Sequence, residues 1–137
     1  MEHRLAAARL AIEYRRIGLL ASCIGNERIR IARDGSVSHS RNSIECEEGQ
    51  RWSDGWRRVG QLGAAVMMQL AQQVVSSGVL ELPPESIAET AEGGRREEMD
   101  VSLDEREYHF VVQNADPPAF RAVVALLWGV VFSRPGA

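Results

Sequence analysis

Two short segments in the last third of the chain alternate apolar and polar residues without a break. Met99, Val101 and Leu103 alternate with Asp100, Ser102 and Asp104, and Tyr108, Phe110 and Val112 resume the rhythm after the polar turn "DERE". A period of two sets every second side chain on one face of a strand. If Asp104 opposes Glu107, then Leu103 meets Tyr108, Val101 meets Phe110 and Met99 meets Val112, and the large apolar residues share one face of a hairpin. Residues 9–17 alternate too, with Leu10, Ile12 and Tyr14 set against Arg9, Glu13 and Arg15. That rhythm favours a strand over the helix that the alanines of "LAAARLAIEY" also permit.

The stretch "ERIRIARDGSVSHSR", residues 27–41, predicts another hairpin. A two-residue Asp34-Gly35 loop would set Ile31 opposite Ser38 and scatter the apolar residues over both faces. A three-residue loop, Arg33-Asp34-Gly35, sets Ile31 against Val37 and Ile29 against His39. Arg28, Arg30, Ser38 and Ser40 then share the other face. A slip of one residue reverses every side chain, so the buried face selects the longer loop, a type I turn closed by a left-handed glycine. Gly35 is therefore expected at positive φ.

Wider spacing marks the helices. Val59, Leu62, Val66, Leu70 and Val74 fall at i, i+3, i+7, i+11 and i+15, with Met67, Ala71 and Val75 widening the stripe. This predicts a helix capped by Ser53 or Asp54 and closed by Gly78 as a left-handed C-terminal cap, with Val79 as its apolar follower. The prolines at 83 and 84 prevent its continuation. In "NADPPAF", Asp116 suits an N-terminal cap and Pro117 the first helical position. Phe120, Val123, Val124, Leu127 and Val131 line one face of the helix that follows, while Trp128, Val130 and Phe132 point elsewhere. A helix apolar nearly all round is either covered on two sides or offers a binding surface.

Residues 41–56, "RNSIECEEGQRWSDGW", read as polar turns with a short strand at 43–47, and 86–98 as a short strand followed by a glycine loop. Residues 1–8 read as a frayed end and 133–137 as a tail. The order is strands, helix, strands, helix. It predicts one α+β domain over 1–137, built as a single antiparallel sheet of four to five strands with two helices packed on one face.

Composition narrows the function classes. A chain of 137 residues, 45% hydrophobic, buries a core without staples, and a net charge of −3 gives no global attraction to nucleic acid or to an anionic membrane. All 16 basic residues are arginine, which reads first as genomic base composition. Arg28, Arg30 and Arg41 lack interleaved aromatics on the expected outer sheet face, so they read as a solvated surface and not as a nucleic-acid site. The longest apolar run, residues 122–132, falls short of the ~18–20 residues that span a bilayer. "LASC", residues 20–23, has the form of a lipoprotein cleavage site, but Arg9, Glu13, Arg15 and Arg16 interrupt the apolar stretch such a leader needs. A cytoplasmic protein with no membrane or nucleic-acid partner is expected.

The segment "SCIGNERIRIARDGSVSHSRN" resembles the opening of a family of small bacterial domains of unknown function, with Cys23, Gly25 and Gly35 at the matching places. "VSLDEREYHFVVQNADPPAFRAVVALL" is similar to their closing hairpin, proline turn and last helix. The arrangement over roughly residues 17–132 also resembles the emfourin family, protein inhibitors of thermolysin-like metallopeptidases. The glycine pair near the start of emfourin-like domains is absent, with only Gly18 and Gly25 nearby. The resemblance implies a small α+β domain that binds a protein partner.

Candidate chemistry is sparse. A nucleophile needs a base in reach and a third group to orient it. Cys23 with His39 is the single pairing of that kind; His3 lies near the start, and His109 is out of step with Tyr108 and Phe110. Cys23 and Cys46 match neither a disulfide framework nor a metal-ligand spacing and read as ordinary thiols. The chain has no P-loop, G-x-G-x-x-G or G-x-S-x-G. "AEGGRREE" lacks a helix N-terminus behind it to cradle phosphate, and its carboxylates, like those of "ECEE", read as loop charges. No catalytic, metal or cofactor site is expected. What remains is surface: Trp52, Trp56, Trp128 and Phe132 are the candidate interface residues, with stapling of the loop onto the first helix as the alternative for Trp52 and Trp56. The expected function is a non-catalytic protein-binding domain, peptidase-inhibitor-like in form, whose partner is another protein or a second copy. The alternatives are a self-associating structural domain, dimeric through the C-terminal helix, and a small-ligand binder or enzyme using Cys23 and His39.

Overall fold

The alternating residues Leu10, Ile12 and Tyr14 do form a strand, β1 (Leu10–Gly18), and it lies at the centre of the sheet. A computed structural model describes residues 9–19, 22–88 and 94–132. The frayed end and the tail expected at 1–8 and 133–137, with His3, lie outside them, as does part of the expected glycine loop. After β1 come β2 (Glu27–Ile31), β3 (Ser36–Arg41), β4 (Arg57–Gln61), α1 (Ala64–Ser76), β5 (Glu85–Ile87), β6 (Arg95–Leu103), β7 (Arg106–Gln113) and α2 (Pro118–Phe132). The sheet order is β4-β3-β2-β1-β6-β7-β5, and every neighbouring pair is antiparallel except β5 with β7.

The α+β class holds, but the four-to-five-strand antiparallel sheet does not: the sheet has seven strands and is mixed. The difference lies at its two edges: the short strand expected at the start of 86–98 forms as β5 but pairs in parallel with β7, and β4 forms where no strand is expected. β5 has three residues, two of them exposed, and β4 is exposed along most of its length, so neither carries an apolar alternation. β4 also lies inside the segment whose spacing suggests a helix. The open edge of β3 draws Arg57–Gln61 into an extended pairing, and tertiary context overrides the local spacing. Helix α1 therefore begins at Ala64 with Gly63 at the cap position, and neither Ser53 nor Asp54 caps it. Val59 sits on β4, 41% exposed, instead of in a helical core stripe. No strand forms at 43–47.

The hairpin of β2 and β3 adopts the three-residue loop. Ile31 pairs with Val37 and Ile29 with His39, and Gly35 has φ 88°. This glycine is required twice. Its φ is in the left-handed region, and a methyl there would collide with the Leu62 carbonyl oxygen, whose own N–H donates to Gly35 O at 2.8 Å.

The hairpin of β6 and β7 keeps its expected faces but shifts its register by two. Leu103 pairs with Arg106, Val101 with Tyr108 and Met99 with Phe110, around a two-residue Asp104-Glu105 turn in which Asp104 has φ 56°. An even slip preserves which side chains face the core. β6 starts at Arg95, so the expected loop charges Glu97 and Glu98 lie inside a strand and are buried. Helix α2 starts at Pro118, one residue later than expected. The Pro117 carbonyl accepts the first helical bond from Arg121 N at 3.0 Å, and Asp116 takes the Arg121 Nε at 2.7 Å instead of capping the helix. Gly78, φ 86°, follows α1 and leads into a single 3-10 turn at Val79–Glu81.

One face of the sheet supplies Leu10, Ile12, Tyr14, Ile29, Ile31, Val37, Met99, Val101, Phe110 and Val112 to the core. Leu70, Ala71 and Val74 of α1 and Phe120, Val123, Val124 and Leu127 of α2 cover them. The opposite face carries a network of charged side chains.

Candidate functional site

On the uncovered face, residues that alternate with the core form rows across β2, β1, β6 and β7. Arg28 pairs across from Arg15, which pairs with Glu98; Arg30 pairs across from Glu13, Asp100 and His109 in turn. Arg15 is the hub. Its guanidinium reaches Glu98 at 2.8 Å, Glu13 at 2.6 Å and Asp100 at 2.8 Å. Burial works against its charge, and the three carboxylates outweigh burial and raise its pKa. Arg96 adds a 2.6 Å bond to Glu98, and His109 Nδ1 bonds Asp100. Burial likewise opposes the charges of Glu98 and Asp100, yet these partners hold both below the usual carboxylate range.

The loop 42–56 folds back over this face. Cys23 and Cys46 form a disulfide, which corrects the expectation of two free thiols. The buried Asn42 side chain completes the attachment: it donates to Cys23 O at 2.9 Å and Arg51 O at 2.7 Å, and accepts from Ser53 N at 3.0 Å. Asn26 Nδ2 donates to Arg51 O at 3.2 Å. The loop so placed sets the Arg28 guanidinium 4.3 Å from the rings of both Trp52 and Trp56, and Arg30 4.1 Å from Trp56. The result is a four-rung ladder, Trp52–Arg28–Trp56–Arg30. Arg28 Nη2 donates to Asp54 O at 3.2 Å, while its buried Nε has no partner among the described residues. Burial lowers the Arg28 pKa.

Trp52 and Trp56 thus do not staple the loop onto the first helix. They supply the interleaved aromatics that the arginine face was expected to lack. Arg41 departs from that face, in step with His39 on the helix side. Beside the ladder lies a groove of about 390 Å³ whose lining includes Ala11, Ala32, Arg30, Glu13, Asp100 and His109.

The other two interface candidates lie on the helix side. Trp128 stacks on Phe132, centroids 5.5 Å apart, and meets the rings of Tyr14 at 6.1 Å and His39 at 6.4 Å. Phe132 is 60% exposed. Beneath them are two buried carboxylates. Glu27 bonds His39 Nε2 at 2.6 Å and Arg16 at 2.8 Å. Glu97 accepts from Tyr14 OH at 2.5 Å and from two Arg121 nitrogens at 2.8 and 2.9 Å. Burial opposes the Glu97 charge, but Arg121 and Tyr14 outweigh it and lower its pKa. Burial, then Glu97, raises that of Tyr14.

The nucleophile–base pairing of Cys23 with His39 does not form: the sulfur is bonded to Cys46, and His39 is bound to Glu27. The same disulfide uses both cysteines that a Cys–Cys–His metal site would need. No cluster of three His, Cys, Asp or Glu suited to a metal ion occurs among the described residues. Most of the buried or half-buried carboxylates are held by arginine, an arrangement that fixes side chains in place. Comparison with known proteins finds no matching family profile and no matching curated protein.

Proposed function

We propose that this chain is a non-catalytic protein-binding domain whose contact surface is the uncovered sheet face. The observation that carries this reading is the Trp52–Arg28–Trp56–Arg30 ladder, which ends on a half-exposed arginine at the rim of a groove. Tryptophan and arginine are among the residues most enriched where binding energy concentrates; β2 holds the two arginines, and the disulfide and Asn42 hold the loop that carries the two tryptophans. The test is affinity capture of wild type and an Arg30→Glu variant from the source organism's lysate, read with stoichiometry. One stoichiometric partner retained by wild type and lost by the variant is expected. Equal retention by both removes this surface from the reading.

The inhibitor-like form of the proposal rests on the emfourin-like layout. Titrating a thermolysin-type metallopeptidase with the purified protein tests it: stoichiometric loss of activity is expected, and full activity at excess overturns it. A second reading, self-association through α2, draws on the exposed Phe132 stacked on Trp128. It requires a dimer by light scattering that Phe132→Ser returns to monomer.

Among the described residues no helix is long and apolar enough to cross a membrane. The Cys23–Cys46 bond supports an oxidising compartment over the cytoplasm expected from the sequence. A lipid anchor on Cys23 is incompatible with that bond, and leader cleavage before it would remove the central strand β1.

A further inference from the structure

The ladder has a direction. Arg28 is covered by the rings of both Trp52 and Trp56. Arg30 is covered by Trp56, and its side chain remains 44% exposed. The groove begins beyond Arg30, which lines it while Trp56 does not. Its volume of about 390 Å³ falls at the small end of ligand-sized sites. Ala11 and Ala32 contribute no side chain beyond Cβ. The lining comes mainly from β1, β2, β6 and β7, four adjacent strands of one sheet, so the groove is formed before anything enters it.

We propose that this groove receives the side chain of a tryptophan or tyrosine from a protein partner, stacked on Arg30 as the next rung after Trp56. The inference rests on the protein-binding reading and names the chemistry of its central contact. A guanidinium presents a flat cationic face that prefers an aromatic ring to an aliphatic group. The groove is also lined by Glu13 and Asp100, whose side chains are 28% and 47% exposed. They are acceptors for an indole N–H or a phenol O–H, which favours tryptophan and tyrosine over phenylalanine. With Glu107 they set three carboxylates beside Arg30 and Arg33, so the lining is mixed in charge and is not the cationic cradle that a nucleic acid or a phospholipid headgroup would favour.

The test is a titration of the ¹⁵N-labelled, disulfide-intact protein with N-acetyl-L-tryptophanamide, followed by NMR, with N-acetyl-L-leucinamide as the control. Saturable shifts at the Ala11 and Ala32 amides and the Arg30 side chain are expected with the tryptophan probe, at least tenfold stronger in affinity than with the leucine probe. Arg30→Ala should weaken the tryptophan probe at least tenfold. Ala32→Leu, which fills the groove and leaves the ladder in place, should abolish the shifts. Equal affinity for the two probes, or no shift at these residues, overturns the inference. The protein-binding reading is judged separately: a captured partner lost on Arg30→Glu but retained by Ala32→Leu preserves that reading and sinks the aromatic-rung assignment.

Discussion

Glu97 is the most demanding residue in the core. Its side chain is 2% exposed, and its charge is tolerated because Arg121 meets it with two hydrogen bonds and Tyr14 with a third. Removing one partner of a buried pair strands the other charge, which costs about 3–5 kcal/mol. Arg121→Leu is therefore expected to lower the urea-unfolding free energy by about 3 kcal/mol, and Tyr14→Phe by about 1–2 kcal/mol. A change below about 0.5 kcal/mol in Arg121→Leu would mean that Glu97 takes up a proton instead. Gly35→Ala should cost about 2 kcal/mol or more, because it combines a left-handed φ with a collision at Leu62 O. The φ of Gly35 was legible because the register of its own hairpin demands it. Its contact with Leu62 was not, since Leu62 is 27 positions away in sequence and reaches it through β4. Glu97 was legible in principle. It is in step with Met99, Val101 and Leu103, but a carboxylate at a core position reads as the end of a strand unless its partner is known.

At the scale of elements, the loop 42–56 departs furthest from its sequence reading. It has little regular structure, and its path is set by one disulfide, the Asn42 side chain and the stacking of two tryptophans on Arg28. None of these has a local pattern. Two cysteines 23 residues apart do not announce a bond, and an asparagine after a strand looks like any turn residue. Reducing the disulfide is expected to lower stability by about 3 kcal/mol, measured as the shift in urea unfolding on adding a thiol reductant. Fluorescence in the absence of urea gives a second readout. If Asn42 and the ladder hold the loop without the disulfide, the Trp52 and Trp56 emission stays unchanged on reduction. A red shift would assign the attachment to the sulfur bridge alone. Elements with a buried face were legible: β1, β2, β3, β6, β7 and most of α1 and α2. The edge β5 was legible only as a short strand with no place in the sheet, and β4 was not legible, because an exposed strand buries nothing that would impose a period.

At the scale of the whole molecule, carboxylates on both faces of the sheet set the response to acid. Burial alone would raise Glu97, Glu98 and Asp100, but hydrogen bonds from arginine, tyrosine and histidine outweigh it, and all three lie below their ordinary pKa. A group depressed in the folded state contributes stability at pH values above its unfolded pKa and loses it as pH falls through the folded one. The thermal midpoint is therefore expected to change little between pH 8 and about pH 5 and to fall steeply below about pH 4, near the ordinary carboxylate range. Equal midpoints at about pH 7 and about pH 3 would show that these charges contribute nothing to folding.

The central position of β1 has a consequence for how the chain is made. β1 leaves the ribosome before the other described strands, and it pairs on one side with β2 almost at once. Its other neighbour, β6, lies about 85 residues further along and emerges only after β2, β3, β4, α1 and β5. Throughout that interval the middle of the future sheet is a bare edge, with Leu10, Ile12 and Tyr14 on its apolar face. Pairing across so long a separation is slow, because loop closure precedes the contacts that reward it. A nascent chain stalled before Arg95 would therefore offer its N-terminal half to chaperones or to other copies of itself, and only completion of β6 would end that exposure.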